Sequence, residues 1–263
     1  MAINFAHKPG LVAYVTCGDP DLRTTKKIVL AAIRAGADVM ELGVPFSDPV
    51  ADGPVIQRAS ERALRQGTTL QQVLEVAAEV RRESDAGLIV FSYLNPILKF
   101  GLERFCSTAE AAGIDGALIT DLPVEEAGEY LALMRAHRLA TVFLAAPTST
   151  DERLKRIAEA SSGFVYAVSR TGVTGTRTEL PEDARSLVAR IRKYTQLPVA
   201  VGFGISTPEQ VAAVGDYAEA AVVGSALMQA IENSAGAPVP AVAELVHKLR
   251  APGNVHGGTV SSR

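Results

Sequence analysis

Eight short apolar runs, separated by longer amphipathic segments, predict an α/β chain folded as an eight-stranded parallel βα (TIM) barrel. The repeat spacing of ~25–30 residues fits such a barrel, which usually needs ~250 residues, and the chain has 263. No linker-like stretch interrupts the pattern. Residues 1–251 therefore read as a single domain, with 252–263 as a flexible tail rich in Gly, Ser and Thr.

The first strand is expected at Leu11–Thr16 and the second at Ala37–Gly43, with a helix at Leu22–Ala35 between them. The turn after the first strand reads CGDPD. A doubly wound dinucleotide fold, the runner-up architecture, would place a GxGxxG fingerprint there. The third and fourth strands fall at Leu88–Tyr93 and Gly116–Thr120, the fifth and sixth at Ala140–Ala145 and Phe164–Ser169. Pro198–Gly202 and Ala220–Gly224 complete the eight. Further helices are expected at Leu70–Glu83, Val124–His137, Asp151–Ala160, Pro181–Tyr194 and Pro208–Val214.

Chemistry in such a barrel gathers at the C-terminal ends of its strands. The segment ELGVPFSDPVADGP, Glu41 to Pro54, is the most informative stretch there. Glu41 ends an apolar strand, and the following loop carries Asp48 and Asp52. A strand-end acid is costly unless paired or used in chemistry. Facing a loop acid, it suggests a general acid/base pair in two environments. The plainer alternatives are a structural Glu41 paired with an arginine and an Asp52 that only forms a turn. Strand alternation places Val39, Glu41 and Gly43 on one face, with Tyr14 and Thr16, and Phe164, Tyr166 and Val168, as similar sets.

Two glycine-containing segments suggest a split phosphate cradle. VGFGIST (Val201–Thr207) ends the seventh strand, and VVGSALMQAI (Val222–Ile231) ends the eighth and opens a short helix. Backbone N–H groups at these two places commonly hold phosphate in βα barrels. Gly204, Gly224 and Ser225 are the expected contacts, with Gly175 as a further one. Gly175 lies in SRTGVTGT, after the sixth strand, a segment suited to a mobile lid that includes Arg170 and Thr174. Asp121, after the fourth strand, is expected to accept a hydrogen bond from Thr174 when that lid closes.

Composition narrows the function classes. A net charge of −3 argues against nucleic acid as the main partner. No apolar run is long enough to span a membrane. Two cysteines, Cys17 and Cys106, do not make a disulfide framework, so a cytoplasmic location is expected. None of the lysines falls on an expected strand, as a Schiff-base lysine normally would. The four histidines, His7, His137, His247 and His256, follow no expected strand, which disfavours a histidine-based metal site. Metal-free acid/base chemistry by carboxylates, assisted by a tyrosine, is what remains. A different phosphate-sugar barrel enzyme and a non-catalytic, partner-binding barrel remain rival readings.

In order, GDPD, ELGVPFSDPVADGP, SYLNPI, DLPVEE, SRTGVTG, GFGIS and VVGSA span nearly the whole chain. By these motifs the chain resembles the tryptophan synthase alpha subunit family. The resemblance implies cleavage of indole-3-glycerol phosphate to indole and glyceraldehyde 3-phosphate. It implies no cofactor in this chain and a beta-subunit partner carrying pyridoxal phosphate, in an alpha2beta2 heterotetramer. A stand-alone indole-3-glycerol-phosphate lyase is the alternative. Carried over motif by motif, Glu41 and Asp52 match the catalytic acids, and Tyr166 a tyrosine near the scissile carbon. Gly175, Gly204, Gly224 and Ser225 match the phosphate site, and Tyr14 an aromatic against the indole. The family usually has an N-terminal helix before its first strand, whereas here MAINFAHKPG precedes Leu11. A thinner cap at the bottom of the barrel is the expectation.

Overall fold

The structure, a computed structural model, describes residues 3, 5–168, 182–202 and 204–251. Eight parallel strands close into a barrel in sequence order. They are β1 (Gly10–Thr16), β2 (Val39–Gly43), β3 (Gly87–Ser92), β4 (Gly116–Ile119), β5 (Ala140–Ala145), β6 (Val165–Val168), β7 (Val199–Gly202) and β8 (Ala220–Val223). The ring is sealed where β8 pairs with β1, Val12 lying opposite Val222.

The helices follow the strands around the outside. α1 (Leu22–Arg34) lies after β1, and two helices, α2 (Pro54–Arg65) and α3 (Leu70–Arg81), follow β2. α4 (Leu94–Phe100) and α5 (Leu102–Ala111) follow β3, and α6 (Gly128–Ala136) follows β4. α7 (Asp151–Ala160), α8 (Glu182–Ile191) and α9 (Pro208–Val214) follow β5, β6 and β7. After β8 come the short α10 (Ser225–Glu232) and α11 (Pro238–Arg250), which packs on α1, α9 and α10. The eight expected strands are all present, within two residues at each end. The periodicity reading missed α2, α4, α5 and α11. α2 and α11 open on a proline in the first turn, Pro54 and Pro238, where a missing N–H costs nothing.

Two apolar layers account for the alternation along each strand. Val12, Val39, Ile89, Leu118, Val142, Phe164, Ala200 and Val222 point inward and fill the barrel. Their neighbours Leu11, Met40, Val90, Ala117, Val165, Val201 and Val223 point outward, under the helices. Strands covered on both faces must be apolar at every position, which is why β1 and β2 are buried throughout. A polar residue on the inward face is therefore conspicuous. Glu41 is one, and Tyr14 and Tyr166 are others.

The bottom of the barrel is held by a repeated device. Asp38, Asp115 and Glu219 each precede an even-numbered strand, and each accepts the N–H at or next to the start of the preceding odd-numbered one. Asp38 takes Leu11 N, Asp115 takes Leu88 N and Glu219 takes Val199 N, at 2.7–2.8 Å. An arginine from the surrounding helices meets each acid: Arg250, Arg81 and Arg192 respectively. At the fourth such place the Ser162 hydroxyl takes Thr141 N. Orphan N–H groups at strand starts are thus satisfied, in a buried setting at Asp38 and a partly buried one at the others. The N-terminal segment closes this end: Ile3 is buried in the inner layer and the Phe5 ring lies 6.1 Å from Phe164. Where the resemblance implies a thinner cap, this segment carries no helix among its described residues. The expected tail, 252–263, lies outside the described residues.

Candidate active site

The strand ends at the opposite face enclose a cavity of about 890 Å³. Tyr14, Glu41, Asp52, Phe91, Tyr166, Gly204, Gly224 and Ser225 all line it. Seven of the site residues expected from the sequence, those on β1, β2, the loop after β2, β6 and the segments after β7 and β8, thus meet in one place.

Glu41 sits in β2 between Tyr14 of β1 and Ile89 of β3. It is 1% exposed, and its Oε1 has no hydrogen-bond partner among the described residues. Among the described residues no arginine pairs with it either. Burial without compensation disfavours the charged form and raises its pKa to about 8. A carboxyl group at that value is largely protonated at neutral pH and can act as an acid.

Asp52 lies two residues before α2. The structure makes it half-buried rather than an open turn residue. Its loop is pinned by Asp52 N–H to Pro49 O at 3.0 Å and by the Gln57 side-chain amide to Asp52 O at 2.9 Å. The Tyr93 hydroxyl donates to Asp52 Oδ2 at 3.1 Å. Burial raises the Asp52 pKa to about 6, while the Tyr93 hydrogen bond pulls it down. The group is mostly ionised at pH 7, but with a narrower margin than an open loop would give. Asp48 is exposed on the same loop.

Both cavity tyrosines are buried far enough to keep their protons. The Tyr14 hydroxyl is 3.1 Å from Thr16 Oγ1, and its ring meets Phe91 edge-on at 5.0 Å. Burial first, then Asp52, raises its pKa well above the ordinary range. Tyr166 is raised likewise, by burial first and then by Glu41 and Asp52. Each tyrosine is admitted by a glycine. A Cβ on Gly43 would lie 2.3 Å from the Tyr14 hydroxyl, and one on Gly202 would lie 2.6 Å from that of Tyr166.

Gly204, Gly224 and Ser225, expected to hold a phosphate, lie together at one side of the cavity. α10 begins at Ser225 with no side-chain cap on its first turn, so its N–H groups are available to an anion. Gly204 holds φ +69°, a conformation that favours glycine, and a Cβ there would meet nothing within 4 Å. The far end of α10 is clamped. Glu232 accepts from Arg58 and Arg62, and Arg62 also forms a two-pronged pair with buried Asp19 at 2.8 Å. The clamp ties α2, which follows Asp52, to the helix that opens the cradle. It was not visible in the sequence, because its members lie up to 213 positions apart, Asp19 against Glu232.

Asp121 does not simply await a lid. Its Oδ1 accepts Leu94 N–H at 2.7 Å, fixing the start of α4 next to Tyr93. Its expected partner Thr174, with Arg170 and Gly175, lies outside the described residues. Tyr93, which the sequence places at a strand end without giving it a role, is the residue whose bond to Asp52 sequence reasoning did not anticipate. Cys17 is buried, with its thiol pushed up to about 12, consistent with a passive role. Among the described residues no group of three or more His, Cys, Asp or Glu side chains is placed to hold a metal ion. No helix there is long and apolar enough to cross a membrane.

Fold and site together define a βα barrel whose mouth holds two carboxyl groups of raised pKa beside an uncapped helix N-terminus. Comparison with known proteins narrows this class. The family model described as tryptophan synthase alpha chain matches residues 2–253. The tryptophan synthase alpha chain of Solibacter usitatus is 56% identical over 229 residues, 87% of this chain and 86% of that one. That of Geobacter sulfurreducens is 48% identical over 244 residues, 92% of each. A solved mutant tryptophan synthase alpha-subunit from Pyrococcus furiosus superposes with a TM-score of 0.86 at 39% identity, covering 92% of this chain and 98% of that one. The chain belongs to the tryptophan synthase alpha chain family, and its work is that of a lyase in tryptophan synthesis. This bears out the resemblance read from the motifs and lends no support to the stand-alone alternative.

Proposed function

We propose that this chain cleaves indole-3-glycerol phosphate by a retro-aldol reaction, with Glu41 and Asp52 as its catalytic acids. The observation that carries the reading is the pairing of a mostly protonated Glu41 with a mostly ionised Asp52 in the cavity that also holds the cradle. The phosphate lies against the N–H groups of Gly204, Gly224 and Ser225. Remote binding energy then fixes the glycerol arm. The indole ring packs beside Tyr14.

Glu41 gives its proton to indole C3, and Asp52 accepts the indole N–H, whose nitrogen gains positive charge as C3 is protonated. The Glu41 carboxylate then removes the proton of the adjacent glycerol hydroxyl. The bond from C3 to that carbon breaks, its electron pair returns to the ring, and the hydroxyl carbon becomes the aldehyde. Indole leaves, and Glu41 ends with its proton restored. The Tyr166 hydroxyl, held protonated, lies beside the reacting carbon.

This chain supplies no cofactor in that scheme, and its reaction needs no metal. A beta chain that holds pyridoxal phosphate receives the indole, and its docking beside the Asp48–Asp52 loop raises the lyase rate in the cytoplasm. The lid of Arg170 and Thr174, with Gly175 toward the phosphate, closes over the substrate. The test is indole release from indole-3-glycerol phosphate by this chain, with and without a beta chain. Release that is accelerated by the beta chain supports the reading. No release in either case sinks it.

A further inference from the structure

Tyr93 does not line the cavity, yet its hydroxyl is bonded on both sides to the loop that presents Asp52. It accepts Ala51 N–H at 2.9 Å and donates to Asp52 Oδ2 at 3.1 Å. The tyrosine itself is held fast. Its ring packs on Phe46 at a centroid distance of 5.0 Å. The next residue, Leu94, is tied by its N–H to Asp121. Burial, and next the nearby Asp52 charge, raise the Tyr93 pKa, so the hydroxyl stays a donor across the working range.

We propose that Tyr93 is a positioning residue for the lyase reaction: bonded to the Ala51 amide and the Asp52 carboxylate together, its hydroxyl keeps Asp52 ionised and aimed at the indole nitrogen. This rests on the reading of Asp52 as the group that meets that nitrogen. Phenylalanine would fill the same space and keep the contact with Phe46, so packing alone does not explain the hydroxyl. Three things follow from it. The Ala51 amide gains an acceptor and the loop before α2 is fixed. One carboxylate oxygen is occupied, which leaves the other to the substrate. The charged form is favoured by a donor that cannot follow it into ionisation.

The other groups around Asp52 work in the opposite direction or are spoken for. Tyr14 on β1 and Tyr166 on β6 face it as neutral phenols, each with its own ionisation opposed by the Asp52 charge. Glu41 on β2 shares the cavity and is mostly protonated, and Asp48 on the same loop is exposed. On α2, Arg58 is bound to Glu232. On α7, Arg153 lines the cavity and lies 3.5 Å from Glu125. Tyr93 is the one side chain among the described residues with a hydrogen bond to the Asp52 carboxylate.

The test is Tyr93→Phe, alone and combined with Asp52→Asn, assayed for indole release across pH with the beta chain present. Loss of one hydrogen bond to the charged form should move the acid limb of kcat/KM up by about one pH unit. On that account alone the rate at pH 6 falls about fivefold and at pH 7 about twofold, with KM changed by less than about threefold. Titration of the Asp52 carboxyl carbon by NMR should rise by the same amount, a readout independent of turnover. In the Asp52→Asn background, Tyr93→Phe should add nothing. An Asp52→Asn enzyme that keeps its rate overturns both the proposed role of Asp52 and the brace. A crippled Asp52→Asn enzyme beside a Tyr93→Phe enzyme with unshifted acid limb and Asp52 titration overturns the brace alone.

Discussion

Two carboxyl groups share one cavity and are held at different points of the pH scale, and both values sit above their ordinary ones. The proposed reaction needs Asp52 charged and Glu41 neutral. That combination is most populated between about 6 and about 8. We expect a bell-shaped kcat/KM for indole release with its maximum near pH 7 and limbs near those two values. A profile flat from pH 5 to about pH 9 contradicts the assignment. The same burial has a cost in stability. A carboxyl pKa raised from 4.5 to about 8 means stability present in full below pH 4.5 and lost as pH rises toward 8. At pH 7 that loss is on the order of 3 kcal/mol. Glu41→Gln should therefore abolish at least ~10²-fold of the lyase rate while raising the melting temperature at pH 8 and leaving it nearly unchanged at pH 4.5. A variant destabilised at both pH values would contradict this account of an uncompensated buried acid.

At the scale of elements, the proposed phosphate site rests on the backbone after β7 and β8 and at the start of α10. Gly204 is open toward the cavity but holds a left-handed φ, and α10 offers N–H groups that no side chain caps. Ser225→Ala removes a hydroxyl and leaves every N–H in place, so glycerol phosphate binding should weaken by no more than about fivefold. Gly204→Val puts a β-branched residue at φ +69° and fills cavity space, and should reduce binding by at least tenfold, on the order of 1.4 kcal/mol. Calorimetric titration with glycerol phosphate separates the two. Equal losses in both variants would mean that side chains rather than backbone hold the anion.

The whole molecule divides its labour between its two ends. Chemistry is placed at the C-terminal ends of the strands, and the N-terminal ends carry Asp38, Asp115 and Glu219 with their arginines. Asp38 is the most heavily used. It accepts from Leu11 N, Ala6 N and Arg250, and contacts the His7 ring, joining the N-terminal segment, the barrel and α11. Its loss strands a mostly buried guanidinium. Asp38→Ala should cost about 3–5 kcal/mol in a urea titration, while the surviving folded enzyme keeps its KM for substrate. A cost below about 1 kcal/mol would mark the bottom ring as ornamental to stability.

The sequence by itself determined the barrel, because eight apolar runs at a regular spacing have few other ways to bury both strand faces. It also singled out Glu41, whose charge interrupts such a run, and the glycines of the cradle, whose position after the last two strands is a property of the fold. Helices α2, α4, α5 and α11 were not read from periodicity, although α2 and α11, at 12 and 13 residues, are as long as helices that were. Only the tertiary structure decided the environments. Asp52 looked like an open turn residue until Tyr93, 41 positions away, was seen to close over it. Asp121 proved to be bonded to the start of α4, and the Asp19–Arg62–Glu232 clamp joined three distant segments. The physical reason is one of range. Apolar patterning is local and can be read along the chain, whereas the protonation state and aim of a carboxyl group depend on burial and on partners that only folding brings near.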